Sequence, residues 1–330
     1  MASIRFGTNI ITFYDREYWG LPKGLPNAQW VAAFGERRRE FFDRMLDGVR
    51  EAGLEGVELA PGAANWESAL AAYGNAAAFR AALDARGLVL SSSFAAGKAL
   101  IGDALADPEK EKVADDNFRR HAEFVAEMGA STIVTSNIPR TRFGNTSPDD
   151  TATAADFEEP VARETHERFA DQLNRLGAIT APHGVSIAIH TDAYSVCSRN
   201  EDIASVLSLT DPKSVLICPD AGHITLDGGD AVAVLRDNID RIPTMHWKDC
   251  IGHLGGHTLR GDGLERHEVM LTWFRVLGTG IVDWHEWMRV LKQHSWRGWA
   301  IEEIDNSPDP VGELRQGLGY FHDELAPIYS

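Results

Sequence analysis

Short apolar segments alternate along the chain with longer segments that have the periodicity of helices. In residues 38–52 the apolar side chains recur with the spacing of one buried helix face, at Phe41, Phe42, Met45, Leu46 and Val49. Further helices are predicted at residues 75–86, 109–128, 164–183, 200–207, 230–238 and 284–294. Glycines that could form left-handed C-caps follow four of these helices: Gly87, Gly129, Gly184 and Gly298.

The apolar segments predict eight β-strands. They are residues 4–9, 56–59, 89–94, 132–137, 186–192, 215–219, 242–247 and 299–304. Strands that alternate with helices in this number are typical of the α/β class and of a (β/α)8 TIM barrel, here a single domain over residues 1–330. A doubly wound open sheet is the structural alternative, but no glycine-rich phosphate motif follows the first strand.

Three long connections are expected on the catalytic face of this barrel, at residues 11–30, 139–160 and 252–280. The first is rich in aromatic residues and the third carries several histidines. Loops of this length usually cap or line a functional site, and contact between subunits is the alternative.

The last four predicted strands end in ionisable residues: His190, Asp220, His246 and Glu303. Buried strands are unfavourable places for such groups unless a metal or a partner compensates them. Because parallel strands bring their ends to one rim, we predict that these residues hold a divalent metal ion. Two imidazoles and two carboxylates suit Mn²⁺, Co²⁺, Fe²⁺ or Zn²⁺ better than Ca²⁺. Any one of them alone could instead be a hydrogen-bonded polar residue of the core or rim.

Two residues near the predicted ligands are candidates for catalysis. Asp192 alternates with His190 and could accept a proton or orient that ligand. His223 lies on the turn after the sixth strand, where it could face the metal or a substrate oxygen.

Lys248 is a third catalytic candidate, because it alternates with His246 along the seventh strand. At the barrel mouth, its ammonium group could bind a developing oxyanion. An ion pair with Asp249 or Asp220 is the alternative interpretation.

The first half of the chain offers weaker candidates. Glu58 ends the second strand and could bind a substrate hydroxyl, take part in proton transfer, or form a salt bridge to Arg5 or Lys98. Asn137, at the end of the fourth strand, could contact a substrate hydroxyl. Asp283 is predicted to cap the helix that follows it.

The charge of the chain narrows the range of partners. A formal net charge of -17 disfavours nucleic acid and anionic membrane surfaces as partners, so we expect neither. The three cysteines fit no zinc-knuckle or redox spacing, and the start of the chain shows no apolar signal core. A cytoplasmic location is therefore expected.

Three motifs in the second half of the chain carry a family resemblance: D-A-G-H from Asp220, H-W-K-D from His246, and G-T-G-I-V-D-W from Gly278. In this order they resemble the xylose-isomerase-like barrel superfamily of sugar isomerases, epimerases and dehydratases. The resemblance implies metal ligands on the fifth to eighth strands, which are His190, Asp220, His246 and Glu303. It also favours Glu303 over Glu302, whose side chain points to the opposite face of the strand.

The first ligand refines this resemblance. It is most commonly a glutamate in the superfamily, and His190 is similar to the inosose (2-keto-myo-inositol) dehydratase branch. That branch often has further histidines where this chain has Thr191 and Asp192.

A narrower resemblance is to the large subunits of bacterial C-glycoside deglycosidases. The segment 11–21 and the histidine-rich insertion after the seventh strand carry it. It implies cleavage of the C–C bond between a 3-oxo sugar and an aromatic aglycone, with Mn²⁺ and a small β subunit in a hetero-oligomer. Tyr14, Trp19 and His253 would then contact the substrate, the aromatic rings by stacking on the aglycone. A hydrophobic plug or a subunit contact is the alternative role for the aromatic loop.

Both branches imply one chemical logic. A proton is removed next to a ketone, an enediolate forms, and a group β to the carbonyl leaves. We therefore predict a metal-dependent lyase that acts on a 3-oxo C-glycoside. The alternatives are an inosose dehydratase or a keto-sugar isomerase or epimerase. An apurinic-site endonuclease would need more metal ligands and a basic surface, and a non-enzymatic sugar-binding protein would need no metal.

Overall fold

Eight parallel strands form the centre of the protein. The computed structural model describes residues 4–95, 107–138, 140, 159–255, 269–305 and 307–329. The strands are β1 (Ile4–Asn9), β2 (Gly56–Leu59), β3 (Val89–Phe94), β4 (Thr132–Thr135), β5 (Ser186–His190), β6 (Val215–Cys218), β7 (Thr244–Trp247) and β8 (Gly298–Glu302). All eight predicted strands are therefore confirmed, and the largest differences are two residues at strand ends.

The strands curve into a nearly closed barrel. Their hydrogen-bonded order is β6-β5-β4-β3-β2-β1-β8-β7, and every paired neighbour runs parallel. The two ends of this sheet meet through a parallel bridge between Asp220 and His246, where the His246 backbone N–H donates to the Pro219 carbonyl at 3.0 Å. This closure confirms the (β/α)8 prediction and excludes the open sheet.

Helices surround the barrel. They are α1 (Asn27–Glu36), α2 (Arg38–Ala52), α3 (Trp66–Tyr73), α4 (Ala76–Asp84), α5 (Pro108–Glu127), α6 (Arg163–Thr180), α7 (Asn200–Ser208), α8 (Ala221–Leu226), α9 (Ala231–Asn238), α10 (Trp284–Gln293), α11 (Pro310–Tyr320) and α12 (Ala326–Tyr329). The seven predicted helices are confirmed as α2, α4, α5, α6, α7, α9 and α10. The apolar stripe of α2 is fully buried, as its periodicity requires. No described helix is long and apolar enough to cross a bilayer.

The predicted C-cap glycines are confirmed at three positions of four. Gly87, Gly129 and Gly184 have positive φ angles, but Gly298 does not and is instead the first residue of β8. The left-handed residue after α10 is Ser295, with φ 50°. The prediction for Gly298 was wrong because the helix ends three residues earlier than a cap at this glycine requires.

The three long connections differ in how much of them is described. Residues 11–30 form short 3-10 turns and the start of α1. Residues 139 and 141–158 of the second connection and residues 256–268 of the third lie outside the described residues, as does Lys98. The described ends of the third connection pair as a short antiparallel hairpin, Asp249–Cys250 with Phe274–Arg275.

Asp249 organises the turn that leads into α10. Its carboxylate accepts from the backbone N–H groups of Cys250 and Val282 on Oδ1, and of Gly278 and Gly280 on Oδ2. The indole Nε1 of Trp284 adds a bond to Oδ2 at 2.9 Å. Asp283 caps α10 by accepting from the Glu286 N–H, as predicted.

Glu302 lies on the outer face of β8, away from the barrel mouth. Its carboxyl group is completely buried against α11, where a Cβ on Gly317 would stand 2.0 Å from Oε1. Oε1 accepts from the Leu277 N–H at 3.4 Å, and Oε2 has no hydrogen-bond partner. Burial therefore raises the pKa of Glu302 well above its usual value.

We expect Asp249→Asn to lower the free energy of unfolding by about 3 kcal/mol, because an amide NH₂ would face backbone N–H donors. Urea denaturation would measure this loss. Asp283→Asn is the matched control, since asparagine caps a helix as well as aspartate and should change stability by less than about 0.5 kcal/mol. Equal effects of the two substitutions would contradict the role of Asp249.

Glu302→Gln should make the protein more stable than the wild type at pH 8. The raised pKa of Glu302 means that the folded state holds a proton that the unfolded chain, with a pKa of about 4.3, releases. The wild type therefore loses stability as pH rises above the unfolded value, and glutamine, which cannot ionise, does not. Thermal melts from pH 4 to pH 8 should show the gap closing toward pH 4. A gap that does not change with pH would contradict this account.

Candidate metal centre

The carboxyl ends of the last four strands deliver four ionisable side chains to one point. His190 ends β5, Asp220 follows β6, His246 lies in β7 and Glu303 follows β8. All four are buried, with exposures of 5% or less. His190 Nε2 lies 3.4 Å from Asp220 Oδ2, and His246 Nδ1 lies 2.9 Å from Glu303 Oε2 and 3.8 Å from Asp220 Oδ2. The structure thus brings together the residues predicted to bind metal.

A carboxylate behind His190 fixes the direction of its ring. Asp192 Oδ1 lies 2.8 Å from His190 Nδ1. A carboxylate only accepts, so Nδ1 donates and, in the neutral ring, the lone pair of Nε2 points into the cluster. The other oxygen of Asp192 accepts from the Asn137 backbone N–H at 3.2 Å. Asp192 therefore orients a predicted ligand, which was one of its two predicted roles.

Glu58 performs the same task for His246. Its Oε1 lies 2.8 Å from His246 Nε2, which leaves Nδ1 to face Glu303 and Asp220. Oε1 also accepts from Asn9 Nδ2 at 2.7 Å, and Oε2 accepts from Ser92 Oγ at 2.6 Å. Both oxygens of Glu58 are thus engaged inside the barrel, where the structure places it as a partner of His246.

The predicted salt bridge between Glu58 and Arg5 is also not formed. Arg5 lies on the far side of β1 and pairs with Glu55 at 3.2 Å. Its side chain is half exposed, whereas Glu58 is completely buried.

Three of the converging atoms are buried without a hydrogen-bond partner: His190 Nε2, Asp220 Oδ2 and His246 Nδ1. Such atoms are costly to bury unless something else satisfies them. They are all of the donor types that bind divalent transition metals, and they lie within 4.8 Å of other ligand atoms of the cluster. The residues present therefore fit a divalent cation.

The electrostatics of the cluster also favour positive charge. Burial alone would lower the pKa of His190, but Asp192 and Asp220 raise it to about 10. Burial would also lower the pKa of His246. Its interactions with Cys218, Glu58 and Glu303 outweigh burial and raise that pKa well above its usual value. Carboxylates that stabilise a cationic imidazole in this way would stabilise a metal ion at the same point.

Lys248 lies beside the cluster and is completely buried. Its Nζ is 2.6 Å from Glu303 Oε1, 2.6 Å from Asp305 Oδ2 and 3.8 Å from Asp220 Oδ2. Burial lowers its pKa, but Asp305, Glu303 and Asp220 outweigh burial and raise it. Lys248 therefore stays charged at the rim, and Asp249 is not its ion-pair partner.

Asp305 was not assigned a role from the sequence. It alternates with Glu303, so the two side chains point to the same side of the chain, and that parity could have identified it. Its side chain is 11% exposed and reaches the mouth of the barrel beside Lys248.

His223 lies beside Lys248, and with His190 and Asp220 it forms a group whose possible ligand atoms lie within 4.8 Å of one another. Its Nδ1 accepts from the Ala193 backbone N–H at 2.9 Å, so a neutral ring carries its proton on Nε2. Burial and the charge of Lys248 lower the pKa of His223 to about 3, which keeps the ring neutral. Nε2 lies 3.3 Å from Lys248 Nζ, and both groups are donors. An oxygen atom to one side of the pair, within hydrogen-bond distance of each nitrogen, would accept from both.

Two phenylalanine rings line the site. Phe274 lies 4.5 Å from the His223 ring and 4.4 Å from Lys248 Nζ, and Phe94 lies 5.4 Å from the His190 ring. Both are nearly buried. Apolar walls of this kind exclude water and strengthen the electrostatic interactions between them.

The four predicted substrate-binding residues have other contacts in the structure. The Tyr14 hydroxyl donates to the Pro61 carbonyl and accepts from the Ala64 N–H, while Trp19 Nε1 donates to the Phe13 carbonyl. Both rings pack on Trp30 in a buried aromatic cluster. These contacts agree with the alternative role of the aromatic loop as a hydrophobic plug, and stacking on a substrate stays a prediction.

Asn137 and His253 likewise have partners within the protein. The Asn137 amide donates to the Cys197 carbonyl at 3.1 Å and accepts from the Ile138 N–H, so it holds the loop after β5 rather than a substrate hydroxyl. His253 Nδ1 bonds the Thr225 carbonyl at 2.6 Å, and its ring is exposed to solvent.

Comparison with known proteins agrees with this architecture. Residues 46–324 match the model of the family described as xylose isomerase-like TIM barrel. An inosose dehydratase of Geobacillus thermodenitrificans is 29% identical over 228 residues, which are 69% of this chain and 72% of that protein. An inosose dehydratase of Bacillus velezensis is 25% identical over 216 residues, 63% of this chain and 68% of that protein.

Solved structures share the fold at lower identity. The 3-keto-D-glucoside 4-epimerase of E. coli superposes with a TM-score of 0.63 at 16% identity, covering 97% of this chain and 99% of that one. The probable 3-DHS dehydratase of Bacillus anthracis superposes with a TM-score of 0.67 at 15% identity, covering 97% and 100%.

Addition of Mn²⁺ should raise the melting temperature of metal-free protein, because an ion that binds only the folded state stabilises it. His246→Ala and Glu303→Ala should abolish this rise and lower the bound metal measured by elemental analysis. His166→Ala is the matched control, since this buried histidine bonds Val196 and Ser205 outside the cluster. Retention of metal by both cluster variants would contradict the assignment.

Proposed function

The chain belongs to the xylose isomerase-like TIM barrel family, and from that premise we propose that it is a divalent-metal-dependent enzyme that eliminates water from a cyclic polyol ketone or a keto-sugar. Inosose dehydratases are its similar curated relatives, and an inosose is a cyclic polyol ketone. The observation that carries the proposal is the position of two hydrogen-bond donors, His223 Nε2 and Lys248 Nζ, directly beside the four converging ligands.

His190, Asp220, His246 and Glu303 would hold the ion, for which Mn²⁺ is our first choice. A divalent ion at this point would polarise a ketone oxygen and acidify the neighbouring C–H group. This function requires open positions beside the protein ligands, and Asp192, which contacts His190, has 34% of its side chain exposed to solvent.

His223 and Lys248 would stabilise the negative charge that develops on a substrate oxygen. The two nitrogens lie 3.3 Å apart, so one substrate oxygen positioned to the side of the pair could accept a hydrogen bond from each. Phe274 covers both groups and keeps water from competing for them. A neutral imidazole is suited to this task because it donates without adding a second full charge beside Lys248.

Proton transfer would fall to the carboxylates at the mouth. Asp192 is 34% exposed and Asp305 11% exposed, so a substrate can reach either one. Glu58 is completely buried behind His246 and cannot take part.

Cleavage of a C–C glycosidic bond uses the same elimination with an aryl carbon as the leaving group, and it remains our second candidate. Its support is the aromatic loop, whose Tyr14 and Trp19 are packed in the core cluster, and the histidine-rich insertion, of which residues 256–268 lie outside the described residues. Dehydration therefore ranks first. The small β subunit and the hetero-oligomer belong only to the second candidate, and a keto-sugar isomerase or epimerase would differ by returning the proton to carbon.

Purified protein with Mn²⁺ should convert 2-keto-myo-inositol to its dehydrated diketone, measured by NMR, and chelator should stop the reaction. A parallel incubation with a 3-oxo C-glucoside, with and without a small partner subunit, tests for release of free aglycone. Aglycone release without water loss from the inosose would overturn the ranking. Recovery of either substrate as an epimer, with no loss of water and no release of aglycone, would favour the isomerase or epimerase class.

Lys248→Met should lower kcat about 10²–10³-fold, because one donor to the developing oxyanion is lost. Lys112→Met is the matched control, since this exposed lysine lies on α5 and pairs only with Glu109 among the contacts described. Unchanged kcat in Lys248→Met would remove the lysine from the proposed mechanism.

A further inference from the structure

Glu58 is a buried carboxylate inside the barrel. Its side-chain hydrogen bonds join it to His246, a predicted metal ligand, and to Asn9 and Ser92. It lies on β2, 188 residues from His246 in sequence, and its side chain has no exposed surface. The distance to His246 Nε2 is 2.8 Å. No sequence motif connects these two residues, so their pairing emerges only from barrel closure.

Glu58 is itself held rigidly. Asn9 on β1 donates to Oε1 and Ser92 on β3 donates to Oε2, so both neighbouring strands fix the carboxylate in place. The side-chain oxygen of Asn9 in turn accepts from the Ile11 N–H and caps the first 3-10 turn. A carboxylate held on both oxygens cannot rotate away from His246.

We infer that Glu58 is a positioning residue that sets the metal affinity of His246 from behind, an inference that rests on the metal centre of the proposed function. A carboxylate that accepts from the outer N–H of a ligand histidine fixes its tautomer and raises the basicity of the other nitrogen. For His246 that other nitrogen is Nδ1, which faces Glu303 and Asp220.

Glu58 should matter more than the equivalent carboxylate behind His190. Asp192 has 34% of its side chain exposed, so water screens its charge, whereas Glu58 is fully enclosed. An interaction between charges is stronger when water is excluded. The two histidine–carboxylate pairs thus provide an internal comparison within one site.

Glu58→Gln is the informative substitution because it can keep the hydrogen bonds. The glutamine oxygen can accept from His246 and Asn9, and its amide can donate to Ser92, whose hydroxyl rotates to accept. Only the charge is removed. We expect the Kd for Mn²⁺, measured by titration calorimetry, to rise about 10-fold in Glu58→Gln and about 100-fold in Glu58→Ala. Asp192→Asn should raise it less than Glu58→Gln.

Glu302→Gln is the matched control: the same substitution, at a buried glutamate on the outer face of β8, should leave the Mn²⁺ affinity unchanged. Two readouts separate positioning from general destabilisation. The melting temperature of metal-free Glu58→Gln should stay near that of the wild type, while the visible spectrum of its Co²⁺ complex should shift.

The outcomes distinguish this inference from the proposed function. Wild-type affinity and an unshifted Co²⁺ spectrum in Glu58→Gln would overturn the role of Glu58 and leave the metal centre standing. Failure of the wild type itself to bind Mn²⁺ or Co²⁺ would overturn both. An equal loss of affinity in Glu302→Gln would show a structural effect and would also overturn the inference.

Discussion

The hydrogen bond between a ligand imidazole and a carboxylate behind it is the interaction on which the site depends. It occurs twice, as Glu58 with His246 and as Asp192 with His190. Because a carboxylate can only accept, each pair forces the outer ring nitrogen to donate and directs the inner one toward Asp220 and Glu303. The barrel supplies what this interaction needs, since only its closure brings β2 and β7 within hydrogen-bond distance across the interior.

The same arrangement explains how so many ionisable groups coexist in a buried space. Carboxylates from β2, β6 and β8 surround the two imidazoles, and Lys248 neutralises Glu303 and Asp305 on the side away from them. Each charge has a counter-charge or a hydrogen bond within reach, which is the condition for burying it. His223 stays neutral between these groups because burial, and then the charge of Lys248, lower its pKa.

Local patterns in the sequence predicted the strands and the four converging residues, because alternation along a strand decides which side chains share a face. Asp305 could have been found by the same parity. Glu58 could not, since spacing along the chain contains no distance across a barrel. The resemblance of segment 11–21 predicts that Tyr14 and Trp19 stack on an aglycone, whereas in the structure both rings pack against Trp30. The choice between dehydration and C–C bond cleavage stays a prediction, because both eliminations would use the same four metal ligands.

Lys248 and Asp249 are adjacent in sequence, but their side chains point to opposite sides of the chain. Lys248 reaches into the mouth, whereas Asp249 gathers the backbone N–H groups of the turn before α10. Lys248 is therefore next to a residue that is anchored by a turn about thirty residues further along the chain. The contacts of Asp249 therefore divide the long connection after β7 into a part that can be exchanged and a part that supports the fold. Residues 274–284 contact Asp249 and its neighbour and should be kept when the loop is replaced. A loop exchanged to change substrate preference is therefore best joined at Gly255 and Val269.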